Sequence, residues 1–225
     1  MIDIQYSLPL FIVLISLESS SLNMEGAISA LLMAYLILLT QNVWWFFYLL
    51  SFFIIAMLGT KYGEKKKEKK KLIQQIRGSK NVMANGGIAL LMALLGGTYA
   101  VYGFVGALAA ATADTTASEI GVLSKTKPVM ITTLKPAKAG VNGAVSLKGT
   151  VAATIAAFTM GLIALTICND LNIIWIATVS GVIGQFADSV IGAIFENKGY
   201  WGNSITNMFA TTVGAITALL LTLLI

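Results

Sequence analysis

The chain has 225 residues, of which 57% are hydrophobic and 11% charged, and its formal net charge is +5. Soluble domains carry about 25% charged residues, so this composition excludes water as the main solvent of the folded chain. The single cysteine, Cys168, excludes an internal disulfide, and the absence of histidine excludes histidine-based catalytic triads and histidine-bound zinc.

Apolar runs approaching the ~20 residues that cross a bilayer predict eight helices in chain order. They are expected at 5–20, 26–41, 43–60, 81–97, 99–118, 149–168, 172–195 and 204–225. The first run contains Pro9 and leaves only a short apolar core, so seven or eight helices are predicted to cross. The predicted fold is all-α, a polytopic transmembrane helical bundle in which residues 1–225 form a single catalytic domain. Little positive charge precedes the first run, which favours a membrane span over a removable signal peptide.

The positive charges lie between the predicted spans. Of the fifteen lysines and arginines, nine lie in residues 61–80, five in 121–148, and the last is Lys198. The positive-inside rule assigns these loops to the cytoplasm, which predicts a multi-pass protein of the cell membrane. We interpret the basic loop 61–80 as a topology anchor beside anionic lipid headgroups, with substrate attraction as the alternative. Its juxtamembrane position and few aromatic residues argue against a nucleic-acid partner.

Three acidic residues, Asp114, Glu119 and Asp188, lie inside or at the ends of predicted spans, where carboxylates are costly and usually functional. Asp114 and Ser118 share one helical face because residues four apart are neighbours. The predicted spans contain no lysine or arginine, so a divalent cation or lysines folding back from 121–148 are the expected neutralisers. Hydrogen bonding between helices by serine and threonine is the structural alternative.

The cytoplasmic loop at 121–148 is rich in glycine and lysine. It contains Lys125, Lys127, Lys135 and Lys138, then Gly140, Asn142, Gly143 and Ser146. Cations and glycines that expose backbone N–H groups suit a polyphosphate, and a helix starting near Gly149 would add its positive dipole end. The loop therefore predicts a phosphate cradle. It lacks the P-loop spacing, and a flexible connector could have the same composition.

Two further polar clusters are present. One lies at the start of the fourth predicted span, and the other runs from the end of the seventh span to the start of the eighth. Asn81 and Asn85 share one helical face, as do Asn203 and Asn207, while Gln185 and Asp188 share another. The predicted topology brings all these clusters to one membrane face. The opposite face offers only short connections with little charge, so an enzyme is favoured over a transporter with a path across the whole bilayer.

These segments resemble the integral membrane family that contains plastid phytyl phosphate kinase. The resemblance rests on residues 84–87, 109–121, 131–133, 143–150, 188–189 and 203–207. It implies transfer of the γ-phosphoryl group of a nucleoside triphosphate, expected to be CTP, to a prenyl monophosphate such as phytyl or geranylgeranyl phosphate. A weaker similarity extends to dolichol kinase and CDP-diacylglycerol synthase. The family often has a bulkier residue where Thr116 stands, so Thr116 is not expected to be essential.

The residues divide into two expected sets. Asp114, Glu119 and Asp188 are predicted to bind Mg²⁺ and, with Lys135, to form the catalytic set. The predicted nucleotide- and phosphate-binding set is Asn81, Asn85, Ser118, Lys125, Lys138, Asn142, Gly143, Ser146, Asn203 and Asn207.

Several functions and partners stay open at this point. The expected partners are the nucleotide, a prenyl phosphate and membrane lipids, and a homo-oligomer is left open. A CTP-dependent cytidylyltransferase that makes a CDP-lipid would use the same residues. A prenol kinase acting on the alcohol would need a base. A non-enzymatic lipid transporter or binding protein is the alternative from another class.

Overall fold

The computed structural model of the chain describes residues 4–69 and 76–225. Lys70 and Lys71 of the predicted basic loop lie outside the described residues. Within the described ranges, nine α-helices, a π-helical turn and two short strands follow one another. They are α1 (Ile4–Glu18), α2 (Met24–Thr40), α3 (Val43–Lys61), α4 (Glu64–Lys69), α5 (Ser79–Leu95), α6 (Ala100–Gly121), β1 (Val129–Met130), β2 (Ala144–Val145), α7 (Leu147–Ala164), α8 (Asn172–Ile191), the π-helical turn Gly192–Glu196, and α9 (Asn203–Thr222).

The predicted all-α class is confirmed, and a helix occupies each of the eight predicted positions. The largest difference in bounds concerns α7, which begins at Leu147 rather than 149 and ends at Ala164 rather than 168. Among the described residues, four helices are long and apolar enough, by length and composition, to cross a membrane. They are Val43–Lys61, Leu147–Ala164, Asn172–Glu196 and Asn203–Thr222. The short helix α4 and the two-stranded ladder were not predicted.

Helix α6 lies at the centre of the bundle, where it packs against α3, α5, α7, α8 and α9. Of its 22 residues, 17 are buried. Small side chains allow this close packing: a Cβ atom added to Gly106 would lie 2.5 Å from the carbonyl oxygen of Gly214 on α9. Because α6 faces other helices rather than lipid, it can carry polar residues such as Asp114 in the interior.

The connections meet at two opposite ends of the bundle. At one end, Asn23 N donates to the carbonyl of Arg77, and Thr206 Oγ1 donates to Glu196. At the other, Gln41 Nε2 donates to the carbonyl of Ala93. We call the first the basic end, because it holds every lysine and arginine that the structure describes. Its connections are 19–23, 62–69 with 76–78, 122–146 and 192–202.

A turn at Gly63 reverses the chain after α3, so that α4 lies against the end of α3. Gly63 has φ +67°, and a Cβ atom there would lie 2.6 Å from Leu123 Cδ1, so glycine suits both the conformation and the space. The turn leads into α4, where the side chain of Lys67 is only 3% exposed. The prediction that the whole basic run faces headgroups is therefore wrong for Lys67, which points into the protein.

The loop between α6 and α7 folds over the basic end. Its strands β1 and β2 pair antiparallel, with Val129 opposite Val145. Gly143 has φ +79°, and a Cβ atom there would lie 2.7 Å from the carbonyl oxygen of Ser189. Asn197 Nδ2 donates to the carbonyl of Asn142 at 2.8 Å. These contacts fix the loop against the end of α8.

Candidate functional site

A polar cavity of about 380 Å³ opens at the basic end, between the ends of α5 to α9 and the loop 122–146. Eleven of the fourteen residues predicted from the sequence line this cavity. They are Asn81, Asn85, Asp114, Ser118, Glu119, Asn142, Gly143, Ser146, Asp188, Asn203 and Asn207. The predicted convergence of the polar clusters on one end of the bundle is thus found in the structure.

Two aspartates from different helices form the centre of the cavity. Asp114 on α6 and Asp188 on α8 both line the cavity and lie close enough for their carboxyl groups to interact. Asp114 is only 8% exposed, and Asp188 Oδ1 is buried without a hydrogen-bond partner among the described residues. Two ionised carboxylates this close repel each other. The pair therefore requires a proton or a cation between its oxygens.

The oxygen atoms of the aspartate pair are of the kind that a magnesium ion requires. Mg²⁺ prefers oxygen ligands and usually takes one or two carboxylates, with water and substrate phosphates completing the shell. Asp114 and Asp188 supply two carboxylates, and the buried, unpartnered Oδ1 of Asp188 is a free ligand atom. Glu196 is near enough to affect both aspartates electrostatically. Within the described residues, however, no three His, Cys, Asp or Glu side chains converge on one metal position.

Glu119 does not join the aspartate pair, although it lines the same cavity. Its Oε2 accepts a hydrogen bond from Lys67 Nζ at 2.6 Å, and its Oε1 accepts one from Thr60 Oγ1 at 3.1 Å. Both side chains of the ion pair are 3% exposed. The structure thus revises the predicted trio of metal ligands: Glu119 is neutralised by a lysine from the 61–80 loop, not by a lysine from 121–148.

Lys67 also caps helix α3. Besides Glu119, its ammonium group donates to the carbonyl of Gly59 at 3.1 Å and to that of Thr60. All three ammonium donors are used, and the positive charge lies at the negative end of the α3 dipole. This ion pair therefore joins α3, α4 and the polar end of α6.

The two asparagine pairs meet across α5 and α9. Asn207 Nδ2 donates to Asn85 Oδ1 at 3.3 Å, and Asn85 Nδ2 donates to Asn81 Oδ1 at 3.2 Å. Asn85 and Asn207 are 5% and 6% exposed. Asn203 lies one turn before Asn207 on the same cavity wall. The four-residue spacing seen in the sequence thus becomes a row of amides along one wall.

The opposite wall comes from the loop and the start of α7. Ser146 Oγ accepts a hydrogen bond from Gly149 N at 3.2 Å and lies 3.3 Å from the carbonyl oxygen of Gly121, to which it donates. This hydroxyl is the N-cap of α7. The backbone carbonyl of Asn142 accepts the hydrogen bond from Asn197 Nδ2, so the Asn142-Gly143 turn is held in the cavity wall near the end of α8, which carries Asp188.

The cationic residue of the cavity differs from the predicted ones. Lys125, Lys135 and Lys138 are exposed and lie outside the cavity lining, whereas Arg77 lines it. Arg77 Nη2 donates to Thr60 Oγ1 at 3.1 Å. Burial lowers the pKa of Arg77 and the nearby Glu119 carboxylate opposes that shift, so the guanidinium, which titrates far above neutral pH, keeps its charge.

Sequence reasoning also missed Gln185 as a site residue. It is 3% exposed, its Nε2 donates to Ser189 Oγ at 3.0 Å, and both residues line the cavity. Its three-residue spacing from Asp188 was the available signal. The available signal for Arg77 was its position directly before the turn into α5, four residues ahead of Asn81.

A bundle of apolar helices with a polar cavity buried at one end defines the chain as an integral membrane protein. The chain belongs to the integral membrane protein family DUF92, whose family model matches residues 7–221. No solved structure matches the chain.

Curated relatives include proteins of an archaeon, a cyanobacterium and a plant. Over 207 residues, 91% of this chain and 87% of the relative, the chain is 38% identical to an uncharacterized membrane protein of Methanocaldococcus jannaschii. It is 35% identical to Protein PGR of Arabidopsis thaliana over 115 residues, and this alignment covers 46% of this chain and 40% of that protein. It is 31% identical to the chloroplastic Protein VTE6 of Arabidopsis thaliana over 126 residues, and this alignment covers 53% of this chain and 37% of that protein.

Proposed function

We propose that the protein is a prenyl phosphate kinase, which transfers the γ-phosphoryl group of a nucleoside triphosphate, CTP by preference, to a prenyl monophosphate. The observation that carries this proposal is the interaction between the buried Asp114 and Asp188 carboxyl groups inside a cavity lined by Arg77 and five asparagines. Family membership and the motifs that resemble phytyl phosphate kinase support the choice of reaction.

The reaction suits a site without histidine. A phosphate oxygen of the prenyl monophosphate attacks the γ-phosphorus, and a new P–O bond forms. The bond from the γ-phosphorus to the β–γ bridging oxygen breaks, and its electron pair leaves on the β-phosphate of CDP. Because the acceptor is already an anion, no strong base is needed to create the nucleophile. The site's main task is to position and neutralise phosphate charge.

The residues divide this task by position. Asp114 and Asp188 would hold Mg²⁺, which when bound neutralises charge on the phosphate oxygens. The Arg77 guanidinium and the Asn81, Asn85 and Asn207 amides supply hydrogen bonds to phosphate or base, because fixed donors stabilise developing charge. The aspartates and asparagines lie on helices, which preserves their geometry, whereas Arg77 lies in the connection just before α5.

We further propose that residues 1–225 form one catalytic domain, seven or eight of whose helices cross the membrane. The basic end of the bundle would lie in the cytoplasm. The concentration of described lysines and arginines at that end supports the orientation. Helices α1, α2 and α5 are apolar but shorter than the four candidate spans. Hydrogen bonds join the ends of α2 and α5 at both ends of the bundle, from Asn23 N to the carbonyl of Arg77 and from Gln41 Nε2 to the carbonyl of Ala93, which supports their crossing side by side.

The test is product analysis on purified protein in lipid nanodiscs, with Mg²⁺, geranylgeranyl phosphate and CTP labelled at the γ-phosphate. The proposal predicts labelled geranylgeranyl diphosphate and unlabelled CDP. A CDP-lipid with pyrophosphate would instead identify a cytidylyltransferase. Absence of nucleotide turnover with every prenyl phosphate and nucleotide tested would overturn the enzymatic assignment.

A further inference from the structure

A second cleft lies next to the polar cavity, enclosed by α1, α2, α3 and α5. Its lining is almost entirely hydrocarbon, with Pro9 and Val13 from α1, Met33 from α2, Phe53 from α3 and Val82 from α5. The enclosed space is about 90 Å³, well below the roughly 300–1,000 Å³ of sites that hold a drug-sized ligand. It therefore has room for part of a narrow chain.

The apolar cleft and the polar cavity share one wall. Arg77, Asn81 and Asn85 line both of them. A molecule lying across this wall would have hydrocarbon on one side and hydrogen-bond donors on the other. The polar groups lie at one end of the cleft only, which sets the orientation of such a molecule.

Arg77 gives the shared wall a specific chemistry. A guanidinium has five N–H donors and binds phosphate oxygens in a bidentate manner. Within the part of the chain that the structure describes, the Arg77 side chain donates one hydrogen bond, from Nη2 to Thr60 Oγ1. Because Arg77 also faces the polar cavity, donors of the same side chain can contact a phosphate there.

We propose that this cleft binds the first carbons of a single-chain lipid monophosphate of isoprenoid type, with its phosphate against Arg77 at the wall shared with the polar cavity. This inference rests on the proposed function, because the acceptor's phosphate would then meet the nucleotide in the polar cavity. The remaining isoprene units extend into the bilayer. The narrow space favours one chain over two, and the guanidinium favours a phosphate over an alcohol.

The test measures binding of geranylgeranyl phosphate to the full-length protein in nanodiscs without nucleotide. Ala30 lines the cleft on α2, and Ala30→Trp fills it. The matched control is Ile28→Trp on the same helix, where the side chain is 53% exposed on the outer face. We expect Ala30→Trp to raise the Kd roughly tenfold, because buried hydrocarbon contacts are lost. We expect Ile28→Trp to stay within about twofold of the wild type.

A second variant tests the head group. Arg77→Gln should lower the preference for geranylgeranyl phosphate over geranylgeraniol roughly tenfold, whereas Arg77→Lys should keep part of it. Unchanged binding of geranylgeranyl phosphate by Ala30→Trp would overturn the proposal. So would equally strong competition by dioleoyl phosphatidic acid, since that result identifies a general site for anionic phospholipids.

Failure of the cleft and failure of the kinase can be told apart. If the binding pattern holds but no phosphoryl transfer occurs, the cleft stands and the proposed function fails. If transfer occurs while Ala30→Trp leaves KM for geranylgeranyl phosphate unchanged, the function stands and the cleft assignment fails.

Discussion

Asp114 on α6 and Asp188 on α8 lie close enough for their carboxyl groups to interact, inside a cavity at the basic end of the bundle. The sequence gives each helix a polar end, and the packing of α6 against α8 brings the two ends together. In the proposed function, this arrangement supplies two carboxylates for the divalent cation of the nucleotide, which neither helix supplies alone.

Replacing either aspartate should abolish most activity without unfolding the protein. Asp114→Asn and Asp188→Asn keep the side-chain size but remove a charged ligand. We expect each to lower kcat for prenyl phosphate phosphorylation by roughly 10²–10³. Product formation under saturating CTP and Mg²⁺ measures this effect.

The matched control for these variants is Asp170→Asn at the opposite end of the bundle. Asp170 accepts a hydrogen bond from Tyr102 at 2.9 Å and lies outside the cavity lining. Its turnover should remain near that of the wild type. Loss of activity in all three variants would point to general destabilisation and would contradict the specific role of the pair.

The ion pair of Lys67 with Glu119 should show strong coupling. Lys67→Met or Glu119→Gln alone leaves a buried group without its partner and should lower the free energy of unfolding by about 3–5 kcal/mol. The double variant should be less destabilised than the sum of the single variants. Thermal unfolding in detergent, followed by circular dichroism, measures all three.

The control for this cycle is Lys66→Met, which removes an exposed charge one residue away. Its unfolding temperature should be unchanged within error. Additive effects of Lys67→Met and Glu119→Gln would mean that the two side chains do not form the buried pair seen in the structure.

Close packing between α6 and α9 should make Gly106 sensitive to added volume. A Cβ atom at Gly106 would lie 2.5 Å from Ala218 Cβ and 2.5 Å from the Gly214 carbonyl oxygen. Gly106→Val should therefore lower the free energy of unfolding by about 1–3 kcal/mol or more through overpacking.

Gly87→Ala on α5 is the matched control for this packing effect. Its Cβ atom would meet only Met83 Cε at 3.6 Å, an ordinary contact. Alanine also has the higher helix propensity, so stability should be equal or slightly greater. Equal tolerance of Gly106→Val and Gly87→Ala in thermal unfolding would contradict the α6–α9 contact.

The helices of this fold could be predicted because each is a long apolar run that ends at polar residues, and such runs need no tertiary information. Asn203 and Asn207 were predicted to share one helical face by the same local logic, since residues four apart are neighbours on a helix. The membrane confines these polar groups to the ends of the helices.

The pairing of charges could not be predicted from the sequence. Lys67 is one of nine basic residues in 61–80, and only the turn at Gly63 decides that this one reaches Glu119. Lys125 and Lys138 were predicted to bind phosphate and Lys135 to be catalytic, but all three side chains are exposed and lie outside the cavity lining. Arg77 lines the cavity instead, because Asn23 fixes its backbone carbonyl.

Asp170 should contribute to stability in a pH-dependent manner. The backbone N–H of Asn172 donates to its carboxylate at 3.0 Å, and this bond lowers the pKa of Asp170. A carboxyl group whose folded-state pKa lies below the unfolded value of about 3.9 stabilises the fold above that pH. The contribution is lost as the pH falls through the folded pKa.

Asp170→Ala should therefore unfold at a lower temperature than the wild type at pH 7, and the difference should shrink towards pH 2–3. Thermal unfolding of both proteins at pH 7, 4 and 2.5 measures it. A difference that stays constant over this range would show that the carboxylate charge is not responsible.

The central claim is that Asp114 and Asp188 together bind the divalent cation of a nucleotide. The most direct measurement is electron paramagnetic resonance of Mn²⁺, used in place of Mg²⁺, titrated into the protein with CTP. The wild-type protein should show one CTP-dependent Mn²⁺ site, and the Asp114→Asn, Asp188→Asn double variant should lose it. Wild-type Mn²⁺ affinity in a folded double variant would contradict this claim.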